Sequence, residues 1–258
     1  MRRSPFLFAA SAVLAIVLAA TAAWAGPTVY GPDGNTQSID VQVRPKKLAK
    51  KTLTPGSLEV TTLTTSTTDP DGVPSPALHA TIDFDRNLSL YTKGLPKCDT
   101  AKLQNQSTEV AEQVCGSAKI GSGSAIAYLR GGKVYEVPQT VTAFNGIPKG
   151  GKPTVILHTY GTAPLQVSLV LEGTVSNYGK EGYGPRLDLE IPKIAGGTGA
   201  LKEFNVKIDR KWRFKGVKRS FISGKCPNSR KLKARGTFTY LDGVSLTATS
   251  KQSCQQRP

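Results

Sequence analysis

The residues of this chain best spaced for chemistry are two pairs of acids. Asp188 with Glu190, and Asp83 with Asp85, stand two apart in runs that alternate polar and apolar residues. On a β-strand, positions i and i+2 share a face about 6.5 to 7 Å apart. Two carboxyls flank a glycosidic bond at roughly 5 to 5.5 Å in retaining hydrolases and farther apart in inverting ones. The spacing therefore admits a glycan hydrolase built on Asp188 and Glu190. The longer carboxylate motif of jelly-roll glucanases is missing, and alternating acids equally make a solvated strand face. The two histidines, His79 and His158, belong to no local Cys-His, Ser-His-Asp, H-E-x-x-H or G-x-S-x-G arrangement. Asp69-Pro70-Asp71-Gly72 and Asp33-Gly34-Asn35 do not continue into a calcium loop and read as turns. No metal site and no cofactor is expected.

Charge offers a second chemistry. The formal net charge is +16, a balance that attracts polyanions. The cations concentrate between Lys202 and Arg235. From Phe204 to Phe214 the even positions are apolar apart from Arg210, and the odd positions Lys207, Lys211, Arg213 and Lys215 face the other way. Leu232, Ala234, Phe238 and Tyr240 repeat the pattern, with Lys231, Lys233 and Arg235 outward. Lys211, Arg213, Lys215, Lys218, Arg219, Lys231, Lys233 and Arg235 are thus the candidate ligand-binding residues, and the expected partner is an anionic cell-wall polymer or acidic polysaccharide. Were the two strands paired, like charges would oppose each other at a few tenths of a kcal/mol per pair, and a bound polyanion would relieve that. On separate sheets the same charges would only keep the surface soluble. Nucleic acid is disfavoured, because Trp212 and Phe214 fall on the inward parity and would not stack on bases.

The elements that must position these residues are mainly strands. Gly and Pro are abundant, and Thr and Val recur in short runs. From Ala80 to Tyr91, Ile82, Phe84, Leu88 and Leu90 fall on one face and Asp83, Asp85, Asn87 and Ser89 on the other, the period of a half-buried strand. Ten to twelve such strands with close turn spacing predict an antiparallel β-sandwich, jelly-roll-like. Between Cys98 and Cys115, Leu103, Val110, Ala111 and Val114 recur at helical spacing, which predicts one short helix. The four cysteines form no C-x-x-C pair and read as two disulfides. Three pairings are open, and Cys98–Cys115 with Cys226–Cys254 closes the shortest loops.

Arg2 and Arg3, an apolar run from Phe6 to Ala20, and Ala23-Trp24-Ala25 have the three-part layout of a secretory signal peptide. The expected organisation is a signal peptide over 1–25, a flexible N-terminal segment over 26–37 and a single β-sandwich domain over 38–258. A secreted or envelope-associated monomer follows, with no transmembrane segment in the mature chain.

The most distinctive pattern is Gly94-Leu95-Pro96-Lys97-Cys98 followed by Cys115-Gly116-Ser117-Ala118-Lys119-Ile120-Gly121-Ser122-Gly123-Ser124-Ala125. With Phe144-Asn145-Gly146 and the closing Cys226-Pro227, Asp242-Gly243 and Cys254, it resembles an uncharacterised family of secreted proteins from high-GC Gram-positive bacteria. The resemblance implies secretion, one compact domain and the disulfide pattern, and brings no activity. Gly121-Ser122-Gly123 lacks the Walker lysine spacing and the dinucleotide pattern, so close backbone packing is its expected role. Binding is the expected function; the alternative is a secreted glycan hydrolase or carbohydrate-binding module on a jelly-roll scaffold.

Overall fold

The computed structural model describes residues 26–257, and the expected signal peptide lies outside the described residues. Strands β1 (Val29–Tyr30), β2 (Asn35–Arg44), β3 (Lys47–Ala49), β4 (Thr54–Ser66), β5 (Ala77–Asp85) and β6 (Leu88–Leu90) come first. A 3-10 turn at Thr100–Leu103, helix α1 (Thr108–Cys115) and a second 3-10 turn at Gly116–Ala118 follow. Next are β7 (Lys119–Gly131), β8 (Lys133–Asn145), β9 (Thr154–Gly161), β10 (Val167–Asn177), β11 (Tyr183–Glu190) and β12 (Gly199–Ile208). The last are β13 (Lys211–Phe214), β14 (Val217–Ser220), β15 (Ile222–Gly224), β16 (Lys231–Tyr240), β17 (Ser245–Ser253) and β18 (Gln255–Arg257). Residues 29–30 and 35–37, within the segment expected to be flexible, are therefore strand, and Asn35, Thr36 and Gln37 are buried.

One antiparallel sheet dominates, in the order β2-β4-β12-β7-β8-β9-β10-β11-β5-β16-β17. Its accumulated twist brings β17 back beside β2, and side chains complete the circuit. Ser250 Oγ accepts from the Val41 amide at 3.1 Å, and Gln252 accepts from the Val43 amide at 2.5 Å while donating to the Val43 carbonyl at 2.9 Å. At the other end of this seam, buried Gln37 accepts from Thr64 at 2.7 Å and from Tyr240 at 2.8 Å. The result is a nearly closed barrel rather than the expected sandwich. Strand number and turn spacing are common to both architectures. The seam depends on partners separated by 203 to 209 residues, which no local pattern encodes.

Alternation sorts the two faces. Ile39, Val41 and Val43 of β2, Leu58 and Val60 of β4, Val206 and Ile208 of β12, and Leu232 and Ala234 of β16 point into the core. The outer face of β17 is Ser245, Thr247, Thr249, Lys251 and Ser253, all exposed. Membrane-spanning barrels carry an apolar outer band around a polar lumen; here the lumen is apolar and the outer face of β17 polar. Among the described residues no helix is long and apolar enough to cross a membrane.

On one side the wall is covered. Outward Phe144 of β8 and Ile156 of β9 pack under Leu103, Ala111 and Ala118, and the Cys98–Cys115 disulfide staples this helical cap. Ser107 caps α1 by accepting from the Val110 amide. Only Ala111 and Cys115 of α1 are buried; Val110 and Val114, expected on the packed face, are exposed. The second disulfide, Cys226–Cys254, ties the start of β16 to the end of β17, where β18 pairs parallel with β3. Loops closed across 17 and 28 residues each stabilise by about 3 to 4 kcal/mol on the chain-entropy view. Gly121 and Gly123 lie in β7, where an added Cβ would come within 2.1 Å of the Lys207 carbonyl oxygen and 1.9 Å of the Asn205 one. The glycines permit close strand approach.

Candidate functional site

The eight candidate cations separate into two groups. The alternation read continuously from Phe204 to Phe214 breaks at Asp209 and Arg210, between β12 and β13. β13 leaves the barrel and pairs only with β14, with Arg213 opposite Lys218 and Trp212 opposite Arg219. Lys211, Arg213, Lys215, Lys218 and Arg219 all lie on this hairpin. Lys231, Lys233 and Arg235 lie on β16, which pairs with β5 and β17. The two basic strands therefore do not pair, and the repulsion argued for that arrangement does not arise between them.

The hairpin tip reverses at Lys215 and Gly216, with φ of 50° and 75°. Lys211, Arg213, Lys215 and Lys218 are exposed, and none joins an ion pair among the described residues. Trp212 and Phe214 are only partly buried, and of the two Trp212 packs against the main core cluster. Trp212 stacks on Tyr91 with ring centroids 5.9 Å apart and donates its indole N–H to the Lys93 carbonyl at 3.2 Å. The Phe214 ring lies against Gly94, where a Cβ would come within 2.1 Å of it. Arg219 lies over the other partner of that stack, 4.8 Å from the centroid of Tyr91, and its Nε is buried without a hydrogen-bond partner. An aromatic pedestal thus holds up a strip of unpaired cations.

The β16 group is built differently. Asp83 of β5 is 1% exposed, although alternation places it on the outer face. It accepts from Arg186 Nε at 2.5 Å and Nη2 at 3.0 Å, and from Arg235 Nε at 3.0 Å and Nη2 at 2.8 Å. Arg235 also donates to Glu181 at 2.6 Å. Arg186 lies 3.9 Å from the centroid of Tyr178, and Arg235 lies 4.7 Å from that of Tyr183. Burial alone would raise the Asp83 pKa, but the hydrogen bonds from Arg186 and Arg235 outweigh it and hold the carboxyl below its ordinary value. For Arg186 the hydrogen bond to Asp83 is the largest influence and holds the guanidinium more firmly protonated. Arg235 is thereby consumed by structure.

Lys233 donates to the Glu181 carbonyl at 2.5 Å and lies over Tyr183, and its amide donates to Asp85, itself only 4% exposed. Asp85 also accepts from the Asn87 amide at 2.9 Å. The expectation of a solvated acid face on β5 thus fails at both positions, because the 178–182 loop and β16 cover it. Lys231 and Lys233 line an open cleft of about 400 Å³ with Arg86, Lys251 and Ser229. Lys233 and Lys251 are register partners. Arg86 and Lys251 escaped the sequence reading because neither belongs to the Lys202–Arg235 cluster.

Asp188 and Glu190 project from β11 on the convex outer wall, since Leu187 and Leu189 between and before them face the lumen. Sequence reasoning did not place His79 beside them. Its Nε2 is 2.9 Å from Asp188 and 3.8 Å from Glu190, because Asp188 and Glu190 are register partners of Thr81 and His79 on β5. Glu190 keeps 84% of its side-chain surface in solvent. The other histidine, His158 of β9, is fully buried beneath the helical cap, where Nε2 lies 3.0 Å from the Gln106 carbonyl. Burial lowers its pKa, outweighing that hydrogen bond, and the ring is held neutral. Among the described residues no cluster of three or more His, Cys, Asp or Glu side chains is placed to hold a metal ion.

No protein-family model, no curated protein and no solved structure matches this chain.

Proposed function

We propose that this is a non-catalytic, extracytoplasmic binding protein that holds an anionic glycopolymer on the β13–β14 hairpin. The observation that carries the reading is the contrast in pairing: Lys211, Arg213, Lys215 and Lys218 stand exposed without ion-pair partners among the described residues, on a hairpin braced by Trp212 and Phe214. Unpaired cations on a braced support meet a polyanion with little side-chain ordering to lose. Two disulfides favour an oxidising compartment, which accords with the signal-like residues 1–25. The hydrolase reading draws less support, since its two carboxylates lie on a convex wall where a sugar ring would find no enclosing surface. Recognition by charge would be sensitive to salt, because exposed charges are screened beyond about 8 Å at physiological ionic strength.

The test is co-sedimentation of the oxidised protein with purified anionic cell-wall polymer at low and high salt, with Trp212 fluorescence as a local reporter. Binding should fade as salt rises. The triple variant Lys211→Gln/Arg213→Gln/Lys215→Gln should weaken it by about 100-fold, taking roughly 1 kcal/mol per cation as at an anionic membrane surface. Retention of the triple variant at wild-type level would overturn the assignment to the hairpin.

A further inference from the structure

The cations that Asp83 and Glu181 leave unclaimed gather at one corner of the barrel wall. β16 presents Lys231 and Lys233 on its outer face, and Lys251 of β17 is the register partner of Lys233. Like charges directly opposite each other disfavour a sheet, so this pairing works against the strands that carry it. Arg86 reaches the same corner from the turn between β5 and β6. Together the four line the open cleft of about 400 Å³. Arg86, Lys231 and Lys251 are exposed and Lys233 is half-buried, and none of them joins an ion pair among the described residues.

The one acid in the lining is already engaged. Asp85 Oδ1 accepts from the Asn87 amide at 2.9 Å and from the Asn87 side chain at 2.7 Å, while Oδ2 accepts from the Lys233 amide at 3.1 Å. Glu181 turns its carboxylate to Arg235 at 2.6 Å and its carbonyl to Lys233 Nζ at 2.5 Å. That carbonyl orients Lys233 without neutralising it. The walls are tied down as well. The Arg86 amide donates to the Gly182 carbonyl at 3.1 Å, and the Lys225 amide donates to the Asn87 carbonyl at 2.9 Å. On the Pro227–Ser229 side the Cys226–Cys254 disulfide anchors the chain, and Gln256 donates to the Pro227 carbonyl at 2.9 Å. Gly182 has a φ of 79°, and a Cβ there would come within 2.8 Å of Lys233 Nζ and 3.1 Å of Arg86 Nη2. Two cationic tips from separate elements therefore converge beside one glycine.

We infer that this cleft is a binding site for a phosphomonoester. Such a group carries close to two negative charges near neutral pH and three strong acceptor oxygens. Four cations without counter-ions, brought from a turn and two strands around one recess, suit a compact dianion through charge-assisted hydrogen bonds. A sulfate ester or a phosphodiester carries one charge and leaves more of them unmatched. The hairpin offers an open strip to a passing polymer, whereas this recess receives a terminal group. The site shares no residue with the hairpin.

Titration with methyl phosphate, followed by ¹H–¹⁵N spectra of the oxidised protein, supplies the test. Amides of Arg86, Gly182, Lys233 and Lys251 should shift, and those of the hairpin should not. Affinity should rise as pH rises through the second pKa of the ester at about 6. Methyl sulfate and dimethyl phosphate should each bind at least about tenfold more weakly than methyl phosphate. Lys251→Gln and Lys231→Gln, both at exposed positions, should each weaken methyl phosphate about tenfold, the loss of one hydrogen bond between charged groups. The hairpin triple variant should bind it as the unaltered protein does, so failure of the hairpin assignment and failure of this one are told apart. Two sources of the ester are separated by further arms. Cleft shifts with glucose 6-phosphate alone identify a free sugar phosphate, and cleft shifts with wall polymer that vanish after phosphatase treatment identify a chain end. No binding, shifts confined to the hairpin, equal affinity for methyl sulfate, or undiminished binding by both lysine variants would each overturn the proposal.

Discussion

The β13–β14 hairpin and strand β16 look alike as sequence, each alternating Lys or Arg with aromatic and aliphatic residues, yet the fold uses them in opposite ways. On β16, Arg235 is held by Asp83, Glu181 and two tyrosine rings. On the hairpin, Lys211, Arg213 and Lys215 meet no acid among the described residues, while the aromatic residues between them lie down on the 91–94 segment. Alternation determines which way a side chain faces. Whether a charge is neutralised depends on the strand that arrives next to it, and only β16 is placed against β5 with its buried carboxylates.

Three variants sharpen this contrast, in descending order of effect. Asp83→Asn should destabilise the protein by about 3 to 5 kcal/mol, because it leaves two arginines without their shared counter-ion; urea unfolding measures this. The same carboxyl sets an acid limit. Its folded pKa lies below the ordinary value of 3.8, so its contribution is fully present above that value and is lost as pH falls through the folded pKa. Unfolding midpoints of the Asp83→Asn variant should accordingly vary less with pH below 4 than those of the unaltered protein. A smaller loss, about 1 to 3 kcal/mol, is expected for Arg235→Gln, which keeps the Arg186 fork on Asp83 but leaves one carboxylate oxygen less well satisfied. Removing three hairpin cations together should shift stability by no more than about 0.5 kcal/mol while changing polymer binding by two orders of magnitude. A stability loss in the triple variant equal to that of Arg235→Gln would break the comparison.

Much of the local structure was legible. Leu103, Ala111 and Cys115 do form the packed side of a helical cap, since helical spacing and two flanking cysteines are local information. The helix is too short and too shallowly docked to cover Val110 and Val114. The turn at Asp69-Pro70-Asp71-Gly72 is a turn because Asp69 Oδ1 accepts from the Asp71 and Val73 amides. The break at Asp209–Arg210 was not legible, because the apolar parity carries straight through it to Trp212 and Phe214. His79 beside Asp188 was equally hidden, as it follows from the register of β5 against β11 across 109 residues.

From the residues alone come the β class, the facing of most strands, the disulfide-bounded helix, the excess of positive charge and the expectation of export. These rest on composition and on periods of two and of three to four, which act over a few residues. Tertiary structure alone decided that the strands close into a barrel through Ser250, Gln252 and Gln37, that Asp83 is buried beneath two arginines, and that Arg86 at the end of β5 meets Lys231 and Lys233 of β16 in one cleft. Each of these is a relation between strands far apart in the chain. Such relations are set by the balance of twist, register and side-chain volume over the whole sheet, a quantity that no local window contains.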